Sequence, residues 1–266
     1  MVVGTFAAAP YIHLQLEAFR RLYPQVALLI HDDASSMATT LSGLCDEYDV
    51  DFESNDERQP QMLGDLSAFL GGLKWACTRE IDLLLKVSRR WVFKTDWATS
   101  LERLAQDSQY ATFSNFTTSY GFGFRTECMA MSVTAWAQQE FIDRMAGTIR
   151  DGNPIFIEGF MHSMAQSLEN QNCALAERWR MSHPSPPDKR GYAKWPLMGD
   201  DRCKEETSRL WHDSDGPEQY ARLAQHWGLG YETRDFIDPN QGEGDAPRGA
   251  SGHSVGCGEH ELSHRQ

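Results

Sequence analysis

Short apolar runs alternate with helix-length amphipathic segments in the first half of this chain, and brief polar connections join them. Residues 1–6 form the first run. Residues 10–23 follow, with Ile12, Leu16, Phe19 and Leu22 at helical spacing behind Pro10, which suits a first helical turn. Residues 26–30 are continuously apolar, the mark of a strand covered on both faces. The pattern then predicts a helix over 37–48, a strand over 50–53 and a helix over 64–78. That helix carries Leu66, Phe69, Leu70, Leu73 and Ala76 or Cys77 on one face, and a buried strand over 82–87 follows it. Strand–helix–strand order with short connections implies parallel βαβ units and right-handed crossovers.

The second half is less regular. Helices are predicted over 101–106, 134–147 and 155–170, and strands over 110–116 and 122–133. An irregular loop opens at Pro184-Ser185-Pro186-Pro187. A helix over 217–227 closes at Gly228, and a last strand is expected over 229–236. From residue 240 Gly, Ser, Asp, Glu and His dominate, so 240–266 are expected to be a disordered tail. No internal repeat is visible.

With 41% hydrophobic and 11% aromatic residues, the 266-residue chain has material for a sizeable core. A net charge of −13 excludes a protein whose whole surface grips nucleic acid or anionic lipid. No apolar run approaches the ~18 residues of a membrane span. The start lacks a basic segment, so no signal peptide is expected. The six cysteines (45, 77, 128, 173, 203, 257) are spread without a Cys-x-x-Cys, which favours buried free thiols in a reducing, cytoplasmic setting.

In a sheet of this kind ligands bind beyond the carboxyl ends of the strands. Polar clusters fall there at Gly4-Thr5-Phe6, His31-Asp32-Asp33, Lys86-Val87-Ser88-Arg89-Arg90 and Ser114-Asn115. Neither G-x-G-x-x-G nor a P-loop follows the first strand, which disfavours a standard dinucleotide or P-loop site. Gly121-Phe122-Gly123 reads as a turn. From Lys86 to Lys94 there are four basic residues and no acid. Two readings stand: a solvated loop whose arginines cover Trp91 and Phe93, or an anion site with forked Arg donors. His31-Asp32-Asp33 likewise suits turn and cap chemistry, or a metal, ribose or base.

A strand, a helix, and an apolar strand ending in Asp32-Asp33-x-Ser35 together resemble the opening of the GT-A nucleotide-sugar glycosyltransferases, the family-2-like group in particular. The likeness covers roughly residues 1 to 170. It implies a Rossmann-type α/β domain with a mixed, mostly parallel sheet over 1–239. Residues 1–116 would be the nucleotide-binding half, and 117–239 the acceptor half with a C-terminal lid. It implies a nucleotide-sugar donor, a saccharide or other hydroxyl acceptor, and transfer of a sugar between them in glycan biosynthesis. Thr5, Phe6, Asp32 and Asp33 would hold the nucleoside. The family's Asp-x-Asp, which holds a divalent cation against the diphosphate, is replaced here by Lys86-Val87-Ser88, followed by Arg89-Arg90. Lys86, Ser88, Arg89 and Arg90 would then meet the diphosphate directly, without metal, although Mg²⁺ or Mn²⁺ in a different arrangement stays open. The same replacement allows a non-catalytic relative that binds a saccharide or a protein partner.

The resemblance further implies a carboxylate base near a helix start, for which Glu158 is the candidate and Glu127 the rival. His162 lies one helical turn beyond Glu158. A C-terminal histidine over the donor phosphates would be His212. Asp213-x-Asp215 follows no buried strand and reads as a turn, and Asp200-Asp201 is a weaker candidate for acceptor contact. A metal-dependent hydrolase using Asp32, Asp33 and His212 is a third reading. In the tail, Cys257, His260 and His264 have a spacing that zinc could use, while a solvated Gly-rich segment explains them equally.

Overall fold

The computed structural model describes residues 1–60, 62–94, 112–117, 124–169, 192–193, 209–210 and 216–237. Its first half runs β1 (Val2–Thr5), α1 (Ala9–Leu22), β2 (Leu29–Asp32), α2 (Ala38–Glu47), β3 (Asp51–Ser54), α3 (Leu63–Thr78) and β4 (Leu83–Ser88). A short β5 (Val92–Phe93) follows, then β6 (Thr112–Thr117) and β7 (Phe124–Ser132). The helices α4 (Val133–Trp136), α5 (Gln139–Asp151) and α6 (Ile157–Glu169) come next. Short strands β8 (Tyr192–Ala193) and β9 (Arg209–Leu210) precede α7 (Pro217–His226) and a 3-10 turn at Thr233–Phe236.

The fold is α/β with a mixed, mostly parallel central sheet, in the order β3-β2-β1-β4-β7-β6-β8. β3, β2, β1 and β4 are parallel, and β7 joins β4 antiparallel. From β1 the chain winds outward through β2 to β3, then crosses back to place β4 on the other side of β1. Right-handed crossovers in opposite directions must put their helices on opposite faces. Accordingly Ile12, Leu16, Leu41 and Cys45 of α1 and α2 pack with Val3, Ile30 and Val87 on one face. Leu66, Phe69 and Leu73 of α3 pack with Val2, Leu29 and Leu84 on the other, beneath Met145 of α5 and Met161 of α6. Burying a side chain such as Phe69 or Ile12 contributes roughly 1.5–3 kcal/mol. β5 pairs antiparallel with β9 in a separate two-stranded sheet.

Several boundaries differ from expectation. The apolar run 26–30 yields a strand only from Leu29, which continues through His31 and Asp32, both buried. Its ladder with β1 on one side and β3 on the other fixes that span, so the polar pair lies in the strand. The helix expected over 134–147 is two helices, α4 and α5, broken at Ala137-Gln138. α5 ends at Gly152, whose left-handed φ of 66° closes it. The last strand expected over 229–236 is not formed. Its end is the 3-10 turn, because the Phe236 ring is buried against Tyr11 and Tyr220 rather than beside a strand. The helix expected over 101–106 lies outside the described residues.

Residues 1–236 form one compact unit, and beyond Ile237 the remainder, including the expected tail, lies outside the described residues. Cys45, Cys77 and Cys128 are free thiols, Cys77 exposed and the other two buried. No helix among the described residues is long and apolar enough to cross a membrane.

α3 is buried nearly all round, and two adjacent glycines let it sit close on the sheet. A Cβ on Gly71 would lie 2.7 Å from His31 Cδ2, and one on Gly72 2.7 Å from Val2 Cγ1. Both neighbours are buried and cannot easily move. Gly71→Ala should therefore destabilise the fold by about 1–3 kcal/mol despite alanine's higher helix propensity. Urea unfolding checks this; a variant as stable as the parent would refute the close approach.

Candidate functional site

β1 lies between β2 and β4, so the open end of the sheet at β1 and β4 is the switch point of the strand order, where the loops on the two sides diverge. Gly4 sits opposite both His31 and Ser88, and Thr5 opposite Asp32. Strand alternation points Thr5 and Asp32 toward the α1 and α2 face, and Gly4, His31, Lys86 and Ser88 toward α3. Asp32 is fully buried; its Oδ2 accepts the Ser35 amide at 2.7 Å and the Ser54 hydroxyl at 3.4 Å. Asp32 Oδ1, Thr5 Oγ1, Ser88 Oγ and His31 Nδ1 are buried without a partner among the described residues. Each such atom costs about 1–3 kcal/mol unless something satisfies it, and all four lie at the ends of three neighbouring strands, Thr5 and Asp32 on one face and His31 and Ser88 on the other.

Backbone strain gathers at the same end. Ala7 and Ala34, just past β1 and β2, and Met62, just before α3, hold left-handed φ values of 46°, 50° and 70°. Non-glycine residues adopt that region at a cost of roughly 1 kcal/mol or more.

Asp33 acts as a brace within this end of the molecule. Its Oδ1 accepts from Asn55 Nδ2 at 2.7 Å and from the Gln59 amide at 3.1 Å. Ser67 of α3 in turn donates to Asn55 Oδ1 at 2.8 Å. Gly64 makes room for this carboxylate, since a Cβ there would come within 2.3 Å of Asp33 Oδ2. The braced loop carries Arg58, whose guanidinium stacks 4.0 Å from the centre of the Phe6 ring. Sequence reasoning missed Arg58, although a lone basic residue directly after seven acids between Asp46 and Glu57 was a signal.

Lys86 is fully buried and its ammonium forms an ion pair with Asp65 in the first turn of α3. It also donates to the Thr126 carbonyl at 3.1 Å and lies 4.6 Å from the Phe69 ring centre. Asp65 was not anticipated either; its sign as a partner appears only once α3 lies over β4. A divalent cation at this strand end would need several converging anionic oxygens. The described positions supply an ammonium, a valine and a serine, with Asp65 already engaged by the ammonium. These residues do not fit Mg²⁺ or Mn²⁺. Among the described residues no three His, Cys, Asp or Glu side chains gather as a metal site.

Beyond Ser88 the chain turns. The Arg89 amide donates to the Gly4 carbonyl at 3.2 Å and the Trp91 amide to the Ser88 carbonyl at 3.0 Å. Arg89 Nη1 donates to the Phe6 carbonyl at 2.7 Å, tying the ends of β1 and β4 together, and Arg90 lies 5.9 Å from the Tyr11 ring centre.

Of the candidate bases, Glu127 is half-buried on β7 with the parity of Met129, on the sheet face where α6 packs. Glu158 is half-buried in the first turn of α6, and His162 one turn later. His212 lies outside the described residues, between β9, which is held by β5, and α7. Asp200, Asp201, Asp213, Asp215 and the tail residues Cys257, His260 and His264 also lie outside them, as do the side chains of Ser114 and Asn115.

No family model and no curated protein matches the chain. Among solved structures it is similar to the glycosyltransferase GlyE of Streptococcus pneumoniae, at 13% identity and a TM-score of 0.41, covering 64% of this chain and 42% of that one. It is also similar to a cytidylyltransferase from Leptospira borgpetersenii, at 9% identity and a TM-score of 0.38, covering 64% and 69%. A third likeness is to S. aureus TarS in complex with UDP-GlcNAc, at 9% identity and a TM-score of 0.39, covering 88% and 68%. The chain thus spans less than half of GlyE. At these identities and scores the likenesses assign neither family nor activity.

Two outcomes follow from the buried charges. Asp65→Ala leaves a desolvated ammonium without its counter-charge and should cost about 3 kcal/mol, whereas Lys86→Met removes the charge while keeping its stem and should cost less. Chemical denaturation of both variants checks the order, and the reverse order would sink the assignment. His31 is held below the ordinary imidazole value of 6.5 by burial, against the opposing charges of Glu53, Asp33 and Asp32. The folded protein therefore keeps His31 neutral while the unfolded chain binds a proton below pH 6.5. Its contribution is complete above that pH and is lost as pH falls toward the depressed folded value. Unfolding free energies on either side of pH 6.5 should differ less in His31→Asn than in the parent; equal slopes would exclude His31 as the source.

Proposed function

We propose that this protein is a glycosyltransferase that moves a sugar from a nucleotide-diphosphate donor to a hydroxyl acceptor, without a divalent cation at the end of β4. One observation carries the reading: buried polar atoms of Thr5, Asp32 and Ser88 without a partner among the described residues lie at the ends of the adjacent strands β1, β2 and β4, beside the turn bearing Arg89 and Arg90. In this reading the Thr5 hydroxyl donates to or accepts from the nucleoside and the Asp32 carboxylate accepts from it, with Phe6 against its base or ribose. Ser88, Arg89 and Arg90 receive the diphosphate, and Arg58 is a further cation at the same mouth. Lys86 supports the site from beneath through Asp65, and Asp33 through the loop that carries Arg58. His212 keeps the phosphate contact that the resemblance implies for it.

The chemistry is an in-line displacement. The acceptor oxygen forms a bond to the anomeric carbon as the bond from that carbon to the diphosphate oxygen breaks. The acceptor proton passes to Glu158, with Glu127 as the alternative, and the nucleoside diphosphate departs carrying the released electron pair. Charge growing on the leaving oxygen is met by forked guanidinium donors, which suit phosphate geometry.

Titration calorimetry with UDP, GDP, CDP and dTDP tests the site. At least one should bind in the presence of a chelator, and binding of none overturns the reading. Arg89→Ala should weaken the diphosphate about tenfold or more, since hydrogen bonds to charged groups are worth roughly 1.5–3 kcal/mol, while the nucleoside changes less than about twofold. Glu158→Gln should keep binding and lose turnover by about 10²–10⁴. Binding with no turnover of any donor in the parent protein would instead indicate a non-catalytic relative.

A further inference from the structure

The turn after β4 is gripped from beneath by two side chains that no sequence pattern links to it. Gln15, fully buried on α1, donates through Nε2 to the Trp91 carbonyl and reaches the Arg89 carbonyl at 3.5 Å. Both partners are carbonyls, so the amide must present its NH₂ to them. Tyr220, buried on α7, donates its hydroxyl to the carbonyl between them, that of Arg90. Three successive carbonyls of the basic turn are thus drawn into the core by α1 and α7. A carbonyl oxygen turned outward at such a place would repel a phosphate, and satisfying all three from the core side removes that repulsion. Both grips are held in turn. Tyr11, one helical turn before Gln15, donates to the Phe236 carbonyl at 2.6 Å, and Tyr11, Tyr220 and Phe236 form a ring cluster.

We propose that Gln15 and Tyr220 are positioning residues for anion binding by the Arg89-Arg90 turn, which makes the C-terminal segment around α7 a working part of that site. This inference rests on the reading of the turn as the diphosphate contact. Neither residue touches the ligand; each acts through the backbone it holds.

The test uses the full chain with Tyr220→Phe, which keeps its ring in the cluster, and Gln15→Leu and Gln15→Glu, which remove the amide donors. Hydrogen exchange of the ligand-free proteins should show faster exchange of the Arg89 and Trp91 amides with β4 still protected. Unchanged exchange at those amides overturns the proposal whatever nucleotides do. Calorimetry with a nucleoside diphosphate, its nucleoside and inorganic pyrophosphate should show about tenfold weaker binding of the two phosphate ligands and less than about twofold change for the nucleoside, the scale of one lost buried hydrogen bond. Equal losses for nucleoside and diphosphate would mean a merely structural role and also overturn it. If the parent binds no nucleotide but binds pyrophosphate, and the variants lose that, the glycosyltransferase reading falls and the positioning role stands. If the parent binds neither, both fall. Should Gln15→Leu fail to fold, Tyr220→Phe alone decides.

Discussion

The open end of the sheet is arranged around one desolvated ammonium, that of Lys86. An isolated charge in an apolar layer costs several kcal/mol, so the residues near it are constrained to answer it. Asp65 must stand in the first turn of α3, where the helix dipole also favours a carboxylate. Thr126 must offer its carbonyl from β7. Gly4 must remain bare, because a Cβ there would meet the Ala68 Cβ at 3.0 Å and the Lys86 stem at 3.6 Å. The pair fixes how α3 lies across β1 and β4, and with it the loop before α3 that carries Arg58. An internal ion pair of zero net charge supplies rigidity here, so any charge that meets an anion at this strand end must come from other residues.

Those residues stand against an unfavourable background. With a net charge of −13, the protein repels anions at long range, and the acidic run from Asp46 to Glu57 lies directly before Arg58. Part of that run is answered locally: Asp51 accepts from Trp75 Nε1 at 2.9 Å and pairs with Arg79 at 2.6 Å. At physiological salt the remaining repulsion fades within about 8 Å, so short-range donors decide whether a phosphate is held. Arg58, Arg89 and Arg90 are suited to that range, each lying against an aromatic ring or a backbone carbonyl that fixes its direction.

Much of the first half could be read directly. Hydrophobic period, with Pro10 at the first turn of α1, locates α1, α2 and α3 to within a residue or two, because each helix must bury one stripe or be buried all round. The strand over 26–30 slid by two to three residues because hydropathy marks what is apolar, whereas the ladder marks what is paired. His31 and Asp32 are polar yet lie in the ladder. That Thr5, Asp32 and Ser88 fall at strand ends was legible, because the apolar runs before them mark the strands. Asp65, Gln15 and Tyr220 were not, because their meaning depends on partners 21, 76 and 130 residues away that only the packed fold brings within reach. The second half was harder to read, and its expected last strand is a turn whose Phe236 seals the aromatic cluster on α1.

α1 is the element that joins the basic turn after β4 to the segment that follows α7. Toward the sheet it sends Gln15 to the basic turn. On its other side His13 and Glu17 join a directed hydrogen-bond chain. Tyr48 donates its hydroxyl to Glu17 at 2.9 Å, so the Tyr48 oxygen must accept from His13 Nε2 at 3.0 Å, which places the imidazole proton on Nε2. His13 Nδ1 then accepts from the Tyr231 hydroxyl at 3.0 Å. Burial lowers the His13 pKa more than Glu47 and Glu17 raise it, which keeps the ring in that neutral form. Burial raises the Glu17 pKa, but its hydrogen bonds to Arg20, Arg21 and Tyr48 outweigh that and hold it ionised. Arg21 also donates to the Trp227 carbonyl at 3.1 Å. The residues after α7 are therefore tied to α1 at Trp227, Tyr231 and Phe236, and Tyr11, which binds the Phe236 carbonyl, lies one helical turn before Gln15.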